Sequence, residues 1–384
     1  MAAALLALRM GSASAQSLDD LGLQVHGYAT QGFLYTTNNN IFTTSSSDGS
    51  AAWTEAVVNV TAQPNSKLSV AVQTRYFLLG NYGNAITLDY AMADYKVNNY
   101  FGVRFGKVKT PSGLFNEVQD IDPSYMWSLL PQSIYPISSR NSLLSHYGGV
   151  VYGTVPVGEK LGKLEYRGWG GEESIGTDDG YLLSERELGV VFPNGMRAVL
   201  YGGALHWRTP LPGLMVGASN SHENQGEDDV TATIPGYGSF NGTGTLSSSN
   251  HTQYFSIFER SKLMVAGEYS RETGNGSFQI PGLFSMSQRI DYRGWYGMAS
   301  YKLTDKLSAG LYDSQFFDHQ AVLGAARYQK DWALSGRYDF NQFLYAKAEQ
   351  HFLDGTALGY DTALNPGGIK PTTKLTILKV GVSF

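Results

Sequence analysis

Apolar and polar positions alternate with a period of two along most of this chain, in segments of about ten residues. Leu68, Val70 and Val72 fall on one stripe, with Gln73 and Arg75 on the other. Phe101, Val103 and Phe105 oppose Arg104, and Leu344, Ala346 and Ala348 oppose Lys347 and Glu349. Successive side chains of a strand point to opposite faces, so each segment predicts a strand with one apolar and one polar face. The charged residues return to the same face in segment after segment. Sixteen such segments begin near Gly22, Ala52, Lys67, Ala85, Tyr100, His146, Gly162, Met196, Leu214, Asn250, Leu263, Ile290, Leu307, Gly324, Phe343 and Thr373.

The connections between segments alternate in length. Gln63–Ser66, Asn98–Asn99, Leu211–Gly213, Thr304–Lys306 and Asn341–Gln342 are short. Thr37–Ser50, Thr110–Ser145, Gly171–Asn194, Glu223–Ser249, Gly274–Met286 and Asp354–Pro371 are long. Long loops at one end and tight turns at the other are the mark of a membrane barrel. The expected fold class is all-β: a transmembrane antiparallel β-barrel of about 16 strands with an inward-folded constriction loop. A charged side chain facing lipid at the midplane costs about 2–4 kcal/mol, so the segregation of charge is a physical requirement. Tyr28, Tyr76, Trp169, Tyr201, Trp207, Tyr296 and Trp332 lie near strand ends or on outward stripes, where aromatic belts form.

Composition narrows this further. The 384 residues include 45 Gly and 25 Tyr, with 16% charged residues, no Cys, and a net charge of -5. No cysteine means no disulfide scaffold, Cys-zinc site or thiol chemistry. The charge balance disfavours nucleic acid as a partner. No segment approaches the ~18 uninterrupted apolar residues of a membrane helix. Ala2–Leu8 is apolar and Ala13-Ser14-Ala15 has the form of a cleavage site, so residues 1–15 read as a signal peptide with a truncated start. That leaves 16–384 as a single barrel domain. At the other end, Leu378, Val380, Val382 and Phe384 share one stripe. A last strand ending on Phe resembles the assembly signal of outer-membrane barrels, which implies the barrel-assembly machinery as a partner.

Candidate chemistry concentrates after Gly102. The segment Gly106-Lys-Val-Lys-Thr-Pro-Ser-Gly-Leu-Phe-Asn-Glu117, with Asp120 and Pro131-Gln-Ser-Ile-Tyr135, resembles a proteobacterial trimeric outer-membrane porin family. The resemblance is in the style of the phosphate-selective and dicarboxylate-type porins. It extends to Thr209-Pro-Leu-Pro-Gly-Leu214 and Ala348-Glu-Gln-His-Phe-Leu-Asp-Gly355. It implies a homotrimeric channel in the Gram-negative outer membrane, in contact with lipid and lipopolysaccharide, whose third loop narrows a pore for small hydrophilic solutes.

The residues support such a loop independently. Pro111 and Gly113 force the chain out of the ladder after Lys107-Val108-Lys109. Leu114, Phe115, Met126, Trp127, Leu129 and Leu130 then pin residues 110–145 to the wall, leaving Asn116, Glu117, Asp120 and Asp122 facing the opening. Arg75, Arg104 and Arg167 are the expected cations opposite them, with Lys107, Lys109 and Arg140 completing the candidate selectivity set. The alternatives are that these acids cap the loop's own turns or that Asp120 and Asp122 hold a divalent cation. Inward charges balance at eight cations and eight anions, and the arginines suggest a preference for small anions. Loops 171–194 and 223–249 lack the lysine cluster of a phosphate-selective relative. His146, His206 and His351 sit in no hydrolase spacing, so no enzyme, cofactor or metal is expected. A structural or adhesin-like barrel, or a barrel hydrolase, is the other class of reading.

Overall fold

The computed structural model describes residues 21–384 apart from 159, 188, 235, 321 and 322; the expected signal segment lies outside them. The ascending and descending strands are β1 (Gln24–Thr36), β2 (Ser50–Ala62), β3 (Leu68–Leu79), β4 (Tyr82–Lys96), β5 (Gly102–Lys109) and β6 (Ser145–Pro156). They continue as β7 (Lys163–Ile175), β8 (Val190–Val191), β9 (Met196–Arg208), β10 (Leu214–Gln225), β11 (Glu227–Ile234) and β12 (Gly238–Arg260). The last are β13 (Leu263–Ile280), β14 (Phe284–Lys302), β15 (Leu307–Asp318), β16 (Tyr328–Asp339), β17 (Leu344–Gly355) and β18 (Thr372–Ser383). Because β7 pairs directly with β9 and β10 with β12, β8 and β11 stand outside the ring. Eighteen strands less these two leave the 16 that the alternation predicts.

The ring closes where β1 pairs with β18, from Tyr28 opposite Ser383 to Thr36 opposite Leu375. Phe384 finishes this seam, exchanging two backbone hydrogen bonds of 3.0 Å with Gly27. A Cβ on Gly27 would fall 2.7 Å from the Phe384 ring, so the seam needs glycine there. Closure pairs the strands of the ring on both sides except at outer ends such as that of β4, as a sheet in hydrocarbon demands.

Burial is inside out relative to a soluble sheet. Leu378, Val380 and Val382 are exposed outward, while Ile377 and Lys379 beside them are buried inward. Phe105, Trp332 and Leu334 project outward as the stripes require, and Arg75, Lys347 and Glu349 point into the barrel. The aromatic expectation divides. Tyr201, Trp207 and Trp332 are exposed on the outside, but Tyr28, Trp169 and Tyr296 are buried inside. A second correction concerns the segments expected as loops at 223–249 and 274–286. They are largely strand: β11 and the outer part of β12 form a hairpin, and β13 runs with β14 to Ile280 opposite Phe284.

One strand, β5, is cut short at eight residues, and that positions the loop. The outermost pair of β4 with β5 is Ala91 with Lys107, although β4 itself continues to Tyr82. Gly106 has φ +119°, and Gly113 has φ +66°. With β5 ending early, residues 110–144 leave the wall partway up the barrel and turn into it.

Candidate functional site

Residues 110–144 touch the wall on nearly every side, and the contacts are of three kinds. Buried Trp127, Leu130, Ile134 and Tyr135 pack with Tyr296, Tyr312 and Ala333 of the wall, with Leu114 and Phe115 against them. Trp127 meets Tyr312 edge-on at 5.2 Å, and a Cβ on Gly310 would lie 2.3 Å from Met126. Leu129 joins a separate cluster with Leu34, Trp53 and Leu375. These are the apolar pins the sequence suggests.

The second kind is polar capping of loop backbone by wall carboxylates. Ser128 and Leu129 amides donate to Glu349 at 2.6 and 3.2 Å. The Tyr135 hydroxyl accepts from the Leu114 and Phe115 amides and donates to Glu268 at 2.7 Å. Burial and Glu268 push that hydroxyl's pKa well above the ordinary tyrosine range, so it stays a donor. The turn at Gly113 leaves no room for a side chain: a Cβ there would sit 2.5 Å from Glu268 Oε1 and 2.7 Å from Gln253 Nε2.

The third kind is ion pairing. Lys347 and Lys379 lie directly opposite each other on neighbouring strands, and like charges so placed repel. Asp122 bridges them, with its oxygens 2.9 Å from Lys347 Nζ and 2.6 Å from Lys379 Nζ, and accepts from Tyr345 at 2.7 Å. Burial alone would raise the Asp122 pKa, but the two ammonium groups outweigh it and hold the carboxyl well below the usual range. Asp120 is likewise enclosed, taking bonds from Lys109 at 2.8 Å and Gln73 at 2.7 Å. Arg140 grips Asp89 through two bonds of 3.0 and 2.9 Å, which keeps the buried guanidinium charged.

The placement of the candidate residues therefore differs from expectation in part. Asp120, Asp122 and Asn116 do not face an opening; they are buried, because the wall supplies their partners. Asn116 ties the two ends of the loop by donating to the Thr110 and Leu143 carbonyls. Arg75 is 2% exposed and pairs with Glu55. Lys107 shares a stripe with outward Phe105, its Nζ on the Leu88 carbonyl at 2.6 Å and near the Tyr147 ring. Arg104 and Arg167 do meet Glu117, at 2.8 and 3.3 Å, with Asp94 and Glu165 extending a partly exposed row of alternating charge. Loop carboxylate and wall cations thus meet in contact rather than across a gap.

Above the loop lies a vestibule of about 410 Å³, reaching from Tyr82 and Tyr360 to Glu223 and Tyr292. Beneath it, sharing Glu173, Glu223 and His251, lies a smaller cavity, the neck, of about 30 Å³ lined also by Thr110, Asn116, Ser221 and Gln253. The neck holds only a few waters, since one needs roughly 10–15 Å³. The histidines form no hydrolase arrangement among the described residues. His146 bonds Thr110, His206 bonds Arg167, and His351 is held between Asp331 and Glu349. His251 Nε2 is 2.7 Å from Ser270 Oγ, with no carboxylate hydrogen-bonded to the ring.

Comparison with known proteins fits this picture at the level of fold. No family model matches the chain, and no curated protein is similar in sequence. Solved structures do match. OmpF of Salmonella typhi, in complex with daunomycin, superposes with TM-score 0.59 at 13% identity, covering 95% of this chain and 98% of that one. OmpT of Vibrio cholerae, an outer-membrane protein, gives 0.58 at 13%, covering 94% and 97%. The outer membrane channel DcaP of Acinetobacter baumannii gives 0.54 at 12%, covering 96% and 99%. The fold is that of Gram-negative outer-membrane β-barrels, and the outer face is apolar.

Proposed function

We propose that the chain is an outer-membrane porin, a passive channel for small hydrophilic solutes and ions, working as a homotrimer. The observation that carries this reading is the lumen itself: a closed 16-strand ring whose interior is polar and crossed by one wall-anchored segment. An adhesin or purely structural barrel has no use for residues 110–144 turned inward at the expense of β5. Anchoring on so many strands fixes the loop's position, and a fixed loop sets the limiting cross-section for permeation.

Arg104, Glu117 and Arg167 are the selectivity residues in this reading, because they are the candidate charges left partly exposed at loop level. Arg75, Lys109, Asn116, Asp120, Asp122 and Arg140 hold the loop. The small-anion preference suggested by the arginines gives way at loop level, because Arg104 and Arg167 are each matched by a carboxylate. Phe384 keeps its proposed part as the assembly signal at the seam. Purified protein in a planar bilayer should conduct in discrete steps, grouped in threes for a trimer. Absence of conductance at every voltage would refute the channel. Retained single-step insertion would refute the trimer.

A further inference from the structure

We propose that the outer vestibule is a binding site for organic cations: an ammonium group carried on an apolar or aromatic body. The lining of the cavity contains Glu173, Glu223, Glu272, Asp318 and His251, and no Lys or Arg. The strand register puts three of these acids on β7, β10 and β13, with one strand of the ring, β9 or β12, between each and the next. Glu173 of β7 lies opposite Ala198 of β9, whose other neighbour is Gln225 of β10; Glu223 is two residues before Gln225. Glu223 pairs with Ser249 of β12, and His251 of the same strand pairs with Glu272 of β13.

One side chain singles the cluster out. Glu173 is 5% exposed, and it lines both the vestibule and the neck beneath it. Among the described residues no hydrogen bond or ion pair engages its carboxylate. The buried acids at loop level, Asp89, Asp120 and Asp122, each have a lysine or arginine. Taking a carboxylate out of water without a partner is costly enough that the buried acid is held neutral, and a cation entering the vestibule supplies the partner that lets it ionise.

The shape of the site selects the kind of cation. No group of three or more carboxylates and histidines among the described residues converges as a metal ion requires. The acids are instead spread along one wall, and aromatic rings stand nearby. Tyr292 and Phe316 lie 5.6 Å apart, and Tyr82 and Tyr360 line the same cavity. Carboxylates beside ring faces suit an alkylammonium, which gains both charge pairing and cation–π contact. A small anion finds no counter-charge there.

The proposal deepens the channel reading, since the vestibule is the entrance to the neck, but binding is measurable without conduction. Phenethylammonium titrated calorimetrically into the folded barrel in a neutral detergent should bind saturably, whereas phenylacetate, with the same ring, should not. E173Q should weaken binding about tenfold, close to 1.4 kcal/mol, and E173Q with E223Q further. D229N, on the outer hairpin, should bind as the native protein does. Far-UV circular dichroism establishes that each variant is folded, and E173D serves should E173Q fail to fold. Equal binding of both probes, no saturable binding, or native affinity in folded E173Q/E223Q would overturn the site. Binding without conductance would leave the site standing and remove the channel.

Discussion

The barrel contains two groups of inward carboxylates with opposite surroundings. At loop level Asp122 is held by two lysines and a tyrosine, Asp120 by Lys109 and Gln73, and Asp89 by Arg140. In the vestibule Glu173 is as well hidden from solvent and has no cation. The residue type and the inward stripe are the same. What differs is whether a distant part of the chain folds back to supply a partner. Paired acids fasten the loop, and Glu173, with no partner among the described residues, is left to a solute. An inward charge in a barrel is therefore not, by position alone, a selectivity residue.

The contrast can be broken most sharply at Asp122. Substituting alanine leaves Lys347 and Lys379 buried side by side without an anion, and removing one partner of a buried ion pair costs about 3–5 kcal/mol. Urea unfolding of the barrel in detergent should show a loss of that size, and a loss under 1 kcal/mol would mean the pin is not structural. Glu173→Gln tests the other half. It replaces a buried acid that has no partner among the described residues with a neutral side chain of the same shape, so the same assay should show no loss or a small gain. A loss comparable to that of Asp122→Ala would erase the distinction between the two groups.

Gly113→Ala comes next in size. The new methyl meets Glu268 and Gln253 at a positive φ, costing about 1–3 kcal/mol and displacing the neck. Single-channel amplitude should change with it, and an unaltered amplitude would separate the Gly113 turn from the limiting section. Arg104→Ala should move the reversal potential in a KCl gradient toward cation preference, by uncovering Asp94 and Glu117. An unmoved potential would remove Arg104 from the selectivity set.

The smallest effect concerns pH. The Asp122 carboxyl is depressed in the folded protein, so its stabilisation is fully present above the unfolded value and is lost only as pH falls through the folded one. Loop anchoring should thus be flat from neutral pH down through the ordinary carboxylate range. Noise and amplitude of single channels between pH 7 and pH 5, compared in one bilayer, would reveal a release that this pairing forbids.

The strands and their count were legible because lipid and lumen impose a period of two that nothing else in the chain imitates. The final strand shows this at its clearest, Leu378 and Val380 outward against Ile377 and Lys379. The extent of the inward segment was legible too, from Pro111, Gly113 and a connection too long to be passive. What escaped was the outer hairpins: the first part of β12 is rich in Gly, Ser, Thr and Asn, and in β11 the alternation of Val230, Ala232 and Ile234 runs for only three positions. Tyr28, Trp169 and Tyr296 escaped for a related reason: a polar stripe facing a packed loop tolerates buried aromatics as readily as a membrane border does. The bridging role of Asp122 depends on Lys347 and Lys379, more than 220 residues away. The stripe of its segment marks Lys347 as an inward charge, but only the register shows that Lys379 stands opposite it and that the two require an anion between them.

The central claim is a conducting lumen whose narrowest section is set by the pinned loop, and one recording tests it. Native protein and Asp122→Asn should be inserted into the same planar bilayer under identical salt, and their unit conductances compared. The account predicts discrete steps from both, with the variant larger and noisier because its loop has lost the bridge. Silence from both proteins, or identical unit conductance from a folded variant, would contradict it.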